Sequence, residues 1–486
     1  MMKSRVAYNM AVLTLTGIIT KTMDFVFRAY YSKQLGAEGM GIFSLIMSIF
    51  GVILSLSSAG MGVAVSRLVS INEERGDSSR ATSVVKTAVL TVCCIGAVCT
   101  TVVFISAEWI SEAVLADIRC APGLLCIAPA SIFMGISYCI KGYFYGVRRV
   151  FIPASSEFIE QAVKICAISL FLDKGLYMGT EYGCAGVLLG ITAGEFCSCV
   201  YLCLQYKFRT ESTEKDCFPV RNILAITLPM VASAVGNSFF RMIEDVWIIN
   251  GFEKYGEENA VGVYGLIKGM TMPLLIFPLN LISSFMALLV PEVSRAEEKG
   301  RLERVVKRVG DMGIFFGILV FVVFYIFAEE LSVMVYGGAE AAKYIKPFAW
   351  LCPVMVIDSL SNGMLGGLGK QKNLLIYSLA DTVLRLSMVY FFLPEIGNPA
   401  IIAMIILSNL MTCKLTSGKI RQKSGGFVSF SNTFKTVLLG VAVIFAGEEV
   451  IPHGLSGGKL ILAIVAVVAV YIGIYRWIKR GFGKMN

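Results

Sequence analysis

The sequence predicts an all-α polytopic membrane protein with about fourteen transmembrane helices. Three features lead to this prediction: the composition, a succession of apolar blocks of spanning length, and a one-sided distribution of basic residues. Of the 486 residues, 56% are hydrophobic and 16% are charged, whereas soluble domains carry about 25% charged residues. The mean hydropathy of +0.74 agrees with this class. Because the apolar blocks leave no room for a soluble catalytic domain, we expect no enzyme.

The apolar blocks define the predicted spans. A helix needs about 20 residues to cross the hydrocarbon core of a bilayer. The blocks of this length are residues 8–31, 40–69, 82–106, 120–146, 151–172, 183–206, 221–250, 259–290, 308–328, 344–368, 373–393, 398–416, 433–450 and 458–478. Lys3 and Arg5 precede the first block, and no small-residue cleavage site follows a short apolar core, so we predict an uncleaved first helix.

The basic residues predict the orientation. Alternate connections between the blocks carry 29 of the 43 lysines and arginines, and the other connections carry only 7. Because basic loops stay on the cytoplasmic side, both termini are predicted to be cytoplasmic. The net charge of +9 follows from this bias, and it does not indicate nucleic-acid binding.

An internal repeat indicates two related halves. The stretch "VSRLVSINEERG" from Val65 resembles "VSRAEEKG" from Val293, and the glycine-rich turn at Gly142 resembles the turn at Gly366. The offset of about 224 residues separates the copies by six blocks, so both copies enter the membrane in the same direction. The sequence therefore predicts two parallel six-helix lobes around a cleft, an arrangement that favours an alternating-access transporter over a pore.

The repeat also predicts the domain boundaries. The first lobe is residues 1–206, a charged cytoplasmic linker is 207–220, and the second lobe is 221–424. Residues 425–486 hold two additional C-terminal helices outside the repeat.

Three motifs resemble a known family. They are "KGYFYGVRRVFIPASSEFIEQAVKI", "SKQLGAEGMGIFSLIMSIFGVILSLSSAGMGVAVSRLVS" and "LGGLGKQKNLLIYSLADTVLRL". They are similar to the stage V sporulation protein B group of polysaccharide-biosynthesis transporters, in the multidrug/oligosaccharidyl-lipid/polysaccharide (MOP) exporter superfamily with the lipid II flippases. The resemblance covers about residues 1 to 480. It implies a MATE-like fold and a place in the bacterial plasma membrane. It also implies inner-to-outer movement of an undecaprenyl-diphosphate-linked sugar for spore cortex or cell-wall synthesis.

Charges in the first span suggest how such a substrate is bound. Lys21, Asp24 and Arg28 lie at i, i+3 and i+7, on one helical face. Such charges are costly in lipid, and Arg binds phosphate in a bidentate geometry. We predict that Lys21 and Arg28, with Arg241 and Lys268, bind the diphosphate, and that Asp24 pairs with Arg28 in the empty state. The alternative is an interhelical ion network that only fixes lobe packing.

Acidic residues in the second lobe suggest ion coupling. Glu244, Asp245, Asp358 and Asp381 lie within predicted spans. They need a counter-ion, or they remain protonated. Na⁺ or proton coupling is therefore predicted, and the resemblance implies a sodium site near Asp245 and Asp381. The alternative is static pairing, for example of Glu244 with Arg241.

Two acid-first pairs are predicted to be structural. Glu160 with Lys164 and Asp381 with Arg385 have the favoured i, i+4 order. Paired glycines in "GYFYG", "GVLLG" and "GLIKG" predict close helix packing.

Other site classes are not supported. The 14 cysteines form no CxxC pair and the single histidine is His453, so no metal centre beyond sodium is expected. "GMLGGLGKQK" has the wrong spacing for a phosphate-binding loop and no hydroxyl residue after its lysine, so neither nucleotide nor cofactor is predicted. Two further functions remain open: a multidrug/cation antiporter of the same superfamily and a non-transporting membrane scaffold.

Overall fold

A computed structural model describes residues 2–207, 218–298, 300–428, 430–452 and 454–482. Across these ranges the chain forms helices and short connections, and no strand. The predicted linker falls largely on residues 208–217, which lie outside the described residues.

The first nine α-helices occupy residues 2–264. They are α1 (Met2–Ser58), α2 (Met61–Glu74), α3 (Ser78–Trp109), α4 (Ala121–Ile127), α5 (Ala130–Gly146), α6 (Phe151–Leu176), α7 (Thr180–Lys207), α8 (Val220–Tyr255) and α9 (Ala260–Tyr264). Helix α3 continues into a π-helix at Ile110–Val114, a 3₁₀ turn occupies Ile118–Cys120, and α9 continues into a π-helix at Gly265–Thr271.

Ten further α-helices complete the chain. They are α10 (Met272–Glu298), α11 (Leu302–Ile326), α12 (Ala328–Tyr336), α13 (Ala342–Ala349), α14 (Cys352–Gly367), α15 (Gln371–Phe391), α16 (Leu393–Ile396), α17 (Asn398–Ser424), α18 (Phe430–Val450) and α19 (Gly457–Phe482).

The predicted spans all fall on these helices, which confirms the all-α membrane class. Within the described ranges, ten helices are long and apolar enough to cross a membrane, or eleven if the bent pair α13–α14 forms one span. The first of them, Thr14–Glu74, contains the predicted span 40–69 and most of the predicted span 8–31. The count of fourteen is therefore compatible with the structure and remains a prediction.

Two glycines divide the first of these segments. Gly36 has φ +70° and ψ −173°, a conformation that L-residues with a Cβ rarely adopt, and it kinks α1. Gly60 has φ +75° and separates α1 from α2. Glycine therefore sets both breaks.

The chain divides into two compact units. The first comprises Met1–Asn250 with Asn259–Gly265, and the second comprises Gly251–Glu258 with Leu266–Asn486. The boundaries of the predicted repeat lobes stay a prediction.

Glycine contacts hold the helices of the first unit close together. A Cβ at Gly186 would lie 2.7 Å from the carbonyl oxygen of Phe171, and one at Gly190 would lie 2.8 Å from the Ile168 nitrogen. Helix α7 thus packs directly on the backbone of α6. Lipid removes most of the hydrophobic driving force between helices, so this close contact is a main source of packing energy. The predicted role of the "GVLLG" glycines is confirmed.

Candidate functional site

The charged face of the first span lies on α1. Lys21 and Arg28 are half-buried and Asp24 is exposed. The Arg28 guanidinium carbon lies 5.7 Å from the centroid of the Phe43 ring, in cation–π range. Phe43 follows the Gly36 kink on the same helix. The kink therefore brings the part of α1 after Gly36 into contact with Arg28, which precedes it.

Asp24 has a partner on another helix. The Lys164 Nζ of α6 lies 2.6 Å from the Asp24 Oδ1, and the exposed fractions of the two side chains are 12% and 53%. The predicted pairing of Lys164 with Glu160 is therefore wrong. The i, i+4 rule compares positions on one isolated helix, whereas α6 packs against α1 and offers Lys164 a carboxylate there.

A second carboxyl pair lies beside this ion pair in the first unit. Glu160 of α6 is in side-chain hydrogen-bond contact with Glu195 of α7, which is only 8% exposed. Lys141 of α5 and Lys164 interact electrostatically with Glu195. The charges of α1, α5, α6 and α7 thus form one network inside the unit.

The network reaches the start of the α1 face. Glu157 of α6 interacts electrostatically with both Lys141 and Lys21. Lys21 of α1 therefore interacts with the Glu157 carboxylate of α6. In the other direction, Lys164 of α6 pairs with the Asp24 carboxylate of α1.

The predicted residues of α8 separate into exposed and buried groups. Arg241 is exposed, Glu244 is 5% exposed, and Asp245 is half-buried. Glu244 interacts electrostatically with Tyr264 of α9, and its static pairing with Arg241 stays a prediction. Asp245 hydrogen-bonds the Tyr264 hydroxyl of α9, which is 1% exposed.

Lys268 belongs to the second unit. It lies in the π-helix Gly265–Thr271 and is half-buried. π-Helical turns are rare and occur frequently at functional sites. The sequence motif "GLIKG" gave no sign of this irregular turn.

A polar cluster joins α14, α15 and α17 in the second unit. Ser408 donates a hydrogen bond to Asp381 Oδ1 at 2.5 Å and accepts one from Arg385 Nη1 at 3.5 Å. Thr416 donates to Asp358 Oδ1 at 2.9 Å, and Asn362 donates to Asp358 Oδ2 at 3.1 Å. Ser408 therefore bridges Asp381 and Arg385, the predicted pair.

The cluster consists of two oxygen pairs, Ser408 with Asp381 and Thr416 with Asp358, whose hydroxyl residues lie eight positions apart on α17. Asp358 and Asp381 supply carboxylate oxygens, and Ser408 and Thr416 supply hydroxyl oxygens, which suit Na⁺ better than a transition metal. The two hydroxyl residues and Asn362 were missed by the sequence prediction. Asp245, the other predicted sodium ligand, belongs to the first unit. In the described ranges no group of three or more His, Cys, Asp or Glu side chains could hold a metal ion.

Comparison with known proteins finds relatives in both sequence and fold. The chain is 24% identical over 493 residues to stage V sporulation protein B of Bacillus subtilis (strain 168). The alignment covers 96% of this chain and 95% of that protein. The fold is similar to the solved inward closed conformation of the lipid II flippase MurJ, with a TM-score of 0.72, 14% identity, and coverage of 96% and 98%.

A second solved structure is also similar. It is an inward-facing multidrug resistance MATE family transporter of the MOP superfamily, with a TM-score of 0.67, 14% identity, and coverage of 91% and 100%. The MATE-like fold predicted from the motifs is therefore confirmed. The profile of the polysaccharide biosynthesis protein family matches residues 6–297, more than half of the chain. The chain belongs to the polysaccharide biosynthesis protein family.

Proposed function

We propose that the protein is a flippase that moves an undecaprenyl-diphosphate-linked oligosaccharide or peptidoglycan precursor from the inner to the outer leaflet. The observation that carries the proposal is the basic face of α1. Lys21 and Arg28 lie within an apolar span, and Lys164 neutralises the one acid between them. Basic side chains that cost free energy in lipid are retained where they bind a charged substrate.

The chemistry of a diphosphate fits this face. Arg28 offers a planar guanidinium that can donate two parallel hydrogen bonds to phosphate oxygens, and Lys21 adds a compact positive charge. We assign Arg241 and Lys268 to the same substrate as further basic groups. The Asp24–Lys164 ion pair would hold α1 against α6 so that the basic face keeps its orientation.

The family assignment and the relatives support this function. The family is named for polysaccharide biosynthesis. One relative of similar fold is a lipid II flippase, and the full-length relative is a sporulation protein. We place the chain in a bacterial plasma membrane with both termini cytoplasmic, on the distribution of its basic residues.

We assign the coupling step to the cluster of Asp358, Asp381, Ser408 and Thr416. The Asp381 and Ser408 oxygens would contribute to binding Na⁺, or Asp381 would take a proton, as the transporter alternates between its two openings. Asp245, in hydrogen-bond contact with Tyr264, would respond to the same ion.

The substrate class can be tested with purified protein in proteoliposomes. The measurement is transbilayer movement of a labelled undecaprenyl-diphosphate oligosaccharide, with a labelled drug cation as the competing substrate. Movement of the lipid-linked sugar alone is the expected result. Export of the drug cation without movement of the lipid would show that the protein is a multidrug/cation antiporter. A solved structure of similar fold is a multidrug resistance transporter. Movement of neither substrate would favour the scaffold.

A further inference from the structure

A cavity of about 570 Å³ opens in the second unit where α11 ends and α12 and α13 begin. Tyr325, Glu329, Lys343, Lys346 and Trp350 are among its lining residues. All five lie far along the sequence from the basic start of α11, which carries Arg304, Lys307 and Arg308. Because basic residues mark the cytoplasmic end of a span, the cavity belongs at the outer face.

An exposed indole ring forms one wall of the cavity. Trp350 is 58% exposed, although it lies between two helices of a bent pair that meet at 61°. Its ring lies 4.5 Å from the Phe321 ring and 6.0 Å from the Tyr325 ring, measured between centroids. Two aromatic neighbours therefore fix the indole in place while one side stays open to a ligand.

The basic groups of the cavity are already engaged. The Lys346 Nζ lies 4.8 Å from the Tyr325 ring centroid and 4.0 Å from Glu448 Oε1. The Lys343 Nζ lies 5.1 Å from the Tyr344 ring centroid. Both lysines thus contact aromatic rings of this region, and Lys346 also lies near a carboxylate, while both side chains remain exposed.

Acidic groups line this cavity and the smaller one that adjoins it. They are Glu329, Glu330 and Glu448, and the two cavities share Tyr325, Glu329 and Lys346. Glu330 accepts a hydrogen bond from the Gly454 nitrogen at 3.3 Å. Glu329 is exposed and makes no hydrogen bond or ion pair within the described residues. A hydroxyl-rich neutral ligand would find a hydrogen-bond acceptor in Glu329.

We infer that the cavity is a carbohydrate-binding site that takes a pyranose ring of a glycan at the outer face of the membrane. The apolar CH face of the sugar stacks on Trp350, and its hydroxyls donate hydrogen bonds to Glu329. A fixed, exposed indole beside an uncommitted carboxylate matches a pyranose, which is apolar on its faces and polar at its rim. The inference rests on the proposed function for the presence of glycan at this face, as a flipped headgroup or as polymerised glycan.

The site can be tested by saturation-transfer NMR on the full-length protein in nanodiscs. The probe is a soluble disaccharide of N-acetylglucosamine, and glycerol 3-phosphate serves as the competing anionic headgroup. We expect the wild type to bind the disaccharide and Trp350→Ala to weaken binding about tenfold. Trp350→Phe should retain most of the binding, because a flat ring remains. Glu329→Gln should weaken it less.

Trp109→Ala is the matched control, because Trp109 is 65% exposed on α3 in the other unit. It should bind the disaccharide like the wild type. Equal binding by the wild type and Trp350→Ala, or binding of glycerol 3-phosphate in place of the sugar, would overturn the inference.

Two further measurements distinguish a flipped headgroup from free glycan as the ligand, and distinguish failure of the carbohydrate site from failure of the proposed function. Displacement of the disaccharide by the lipid-linked oligosaccharide would identify the flipped headgroup as the ligand, and absence of displacement would identify free glycan. Sugar binding should persist in Arg28→Ala. If the wild type does not flip the lipid but still binds the disaccharide, the proposed function is wrong and the carbohydrate site is supported. If the wild type flips the lipid but does not bind the disaccharide, only the proposed site is wrong.

Discussion

The Lys164 ammonium of α6 lies 2.6 Å from the Asp24 carboxylate of α1. The two residues are 140 positions apart in the sequence, and their contact joins two helices of the first unit. It neutralises the one acid on a face that otherwise carries Lys21 and Arg28. It is also the clearest difference between the predicted and observed charge network.

The Asp24–Lys164 pair should contribute to stability as a pair. We expect a double-mutant cycle of Asp24→Asn and Lys164→Met, followed by thermal unfolding in detergent, to give a coupling energy of roughly 1 kcal/mol, because Lys164 is largely buried. The exposed Glu303–Lys307 pair, also at 2.6 Å, is the control and should couple more weakly. A coupling of zero for Asp24 and Lys164 would show that the contact does not hold α1 to α6.

The α1–α9 contact should not tolerate a methyl group. A Cβ at Gly265 would lie 1.9 Å from the Ala37 carbonyl oxygen and 2.6 Å from the Gly41 nitrogen, both backbone atoms. We therefore expect Gly265→Ala to destabilise the protein by about 3 kcal/mol, measured by thermal unfolding. Gly51→Ala, on α1 with nothing within 4 Å, should be neutral or stabilising by up to about 1 kcal/mol. Similar unfolding temperatures for the two variants would contradict this packing.

Asp381 should determine the dependence of transport on an ion gradient. Asp381→Asn removes the charge that Ser408 contacts at 2.5 Å. We expect this variant to lose the response to an imposed Na⁺ or proton gradient in proteoliposomes, while Asp173→Asn, an exposed carboxylate of α6, keeps it. Ser408→Ala should give an intermediate response, because it removes one oxygen and leaves the carboxylate. An unchanged gradient response in Asp381→Asn would remove this residue from the coupling step.

The basic connections predict the topology. Reporter fusions at the two termini should both report a cytoplasmic location, and a fusion at Gly338, between α12 and α13, should report the outside. A cytoplasmic signal from the Gly338 fusion would invert the assignment and would place the carbohydrate site on the wrong face.

The helices were predictable because hydropathy and span length are local properties. Irregular turns were harder. Gly36 kinks α1 between two predicted spans, and the π-helix at Gly265–Thr271 lies inside a third. The kink needs the positive φ that glycine permits, whereas the π-helix begins at Gly265, which approaches Ala37, a tertiary contact that no local pattern encodes. Glycine pairs at i, i+4 did predict the close approach of α7 to α6, because small residues are the main local requirement for such packing.

The sequence singled out charged residues within the spans, but not the partners that these residues have in the structure. Charges within apolar spans identified Lys21, Asp24, Arg28 and Asp381 without any knowledge of the fold. The pairing of Lys164 with Asp24 and the bridging role of Ser408 could not be predicted, since each joins residues on different helices. Ser408 is a hydroxyl in an apolar span, a weak signal because serine often bonds its own helix backbone.

In the proposed mechanism the basic face of α1 binds the diphosphate of the substrate. The most direct measurement is the flipping rate of labelled undecaprenyl-diphosphate oligosaccharide in proteoliposomes for the wild type, Arg28→Ala and Arg75→Ala, with equal amounts of folded protein. Arg75 is exposed at the end of α2 and serves as the matched control. We expect Arg28→Ala to lower the rate by about tenfold or more and Arg75→Ala to retain it. A wild-type rate in Arg28→Ala would show that Arg28 does not bind the diphosphate.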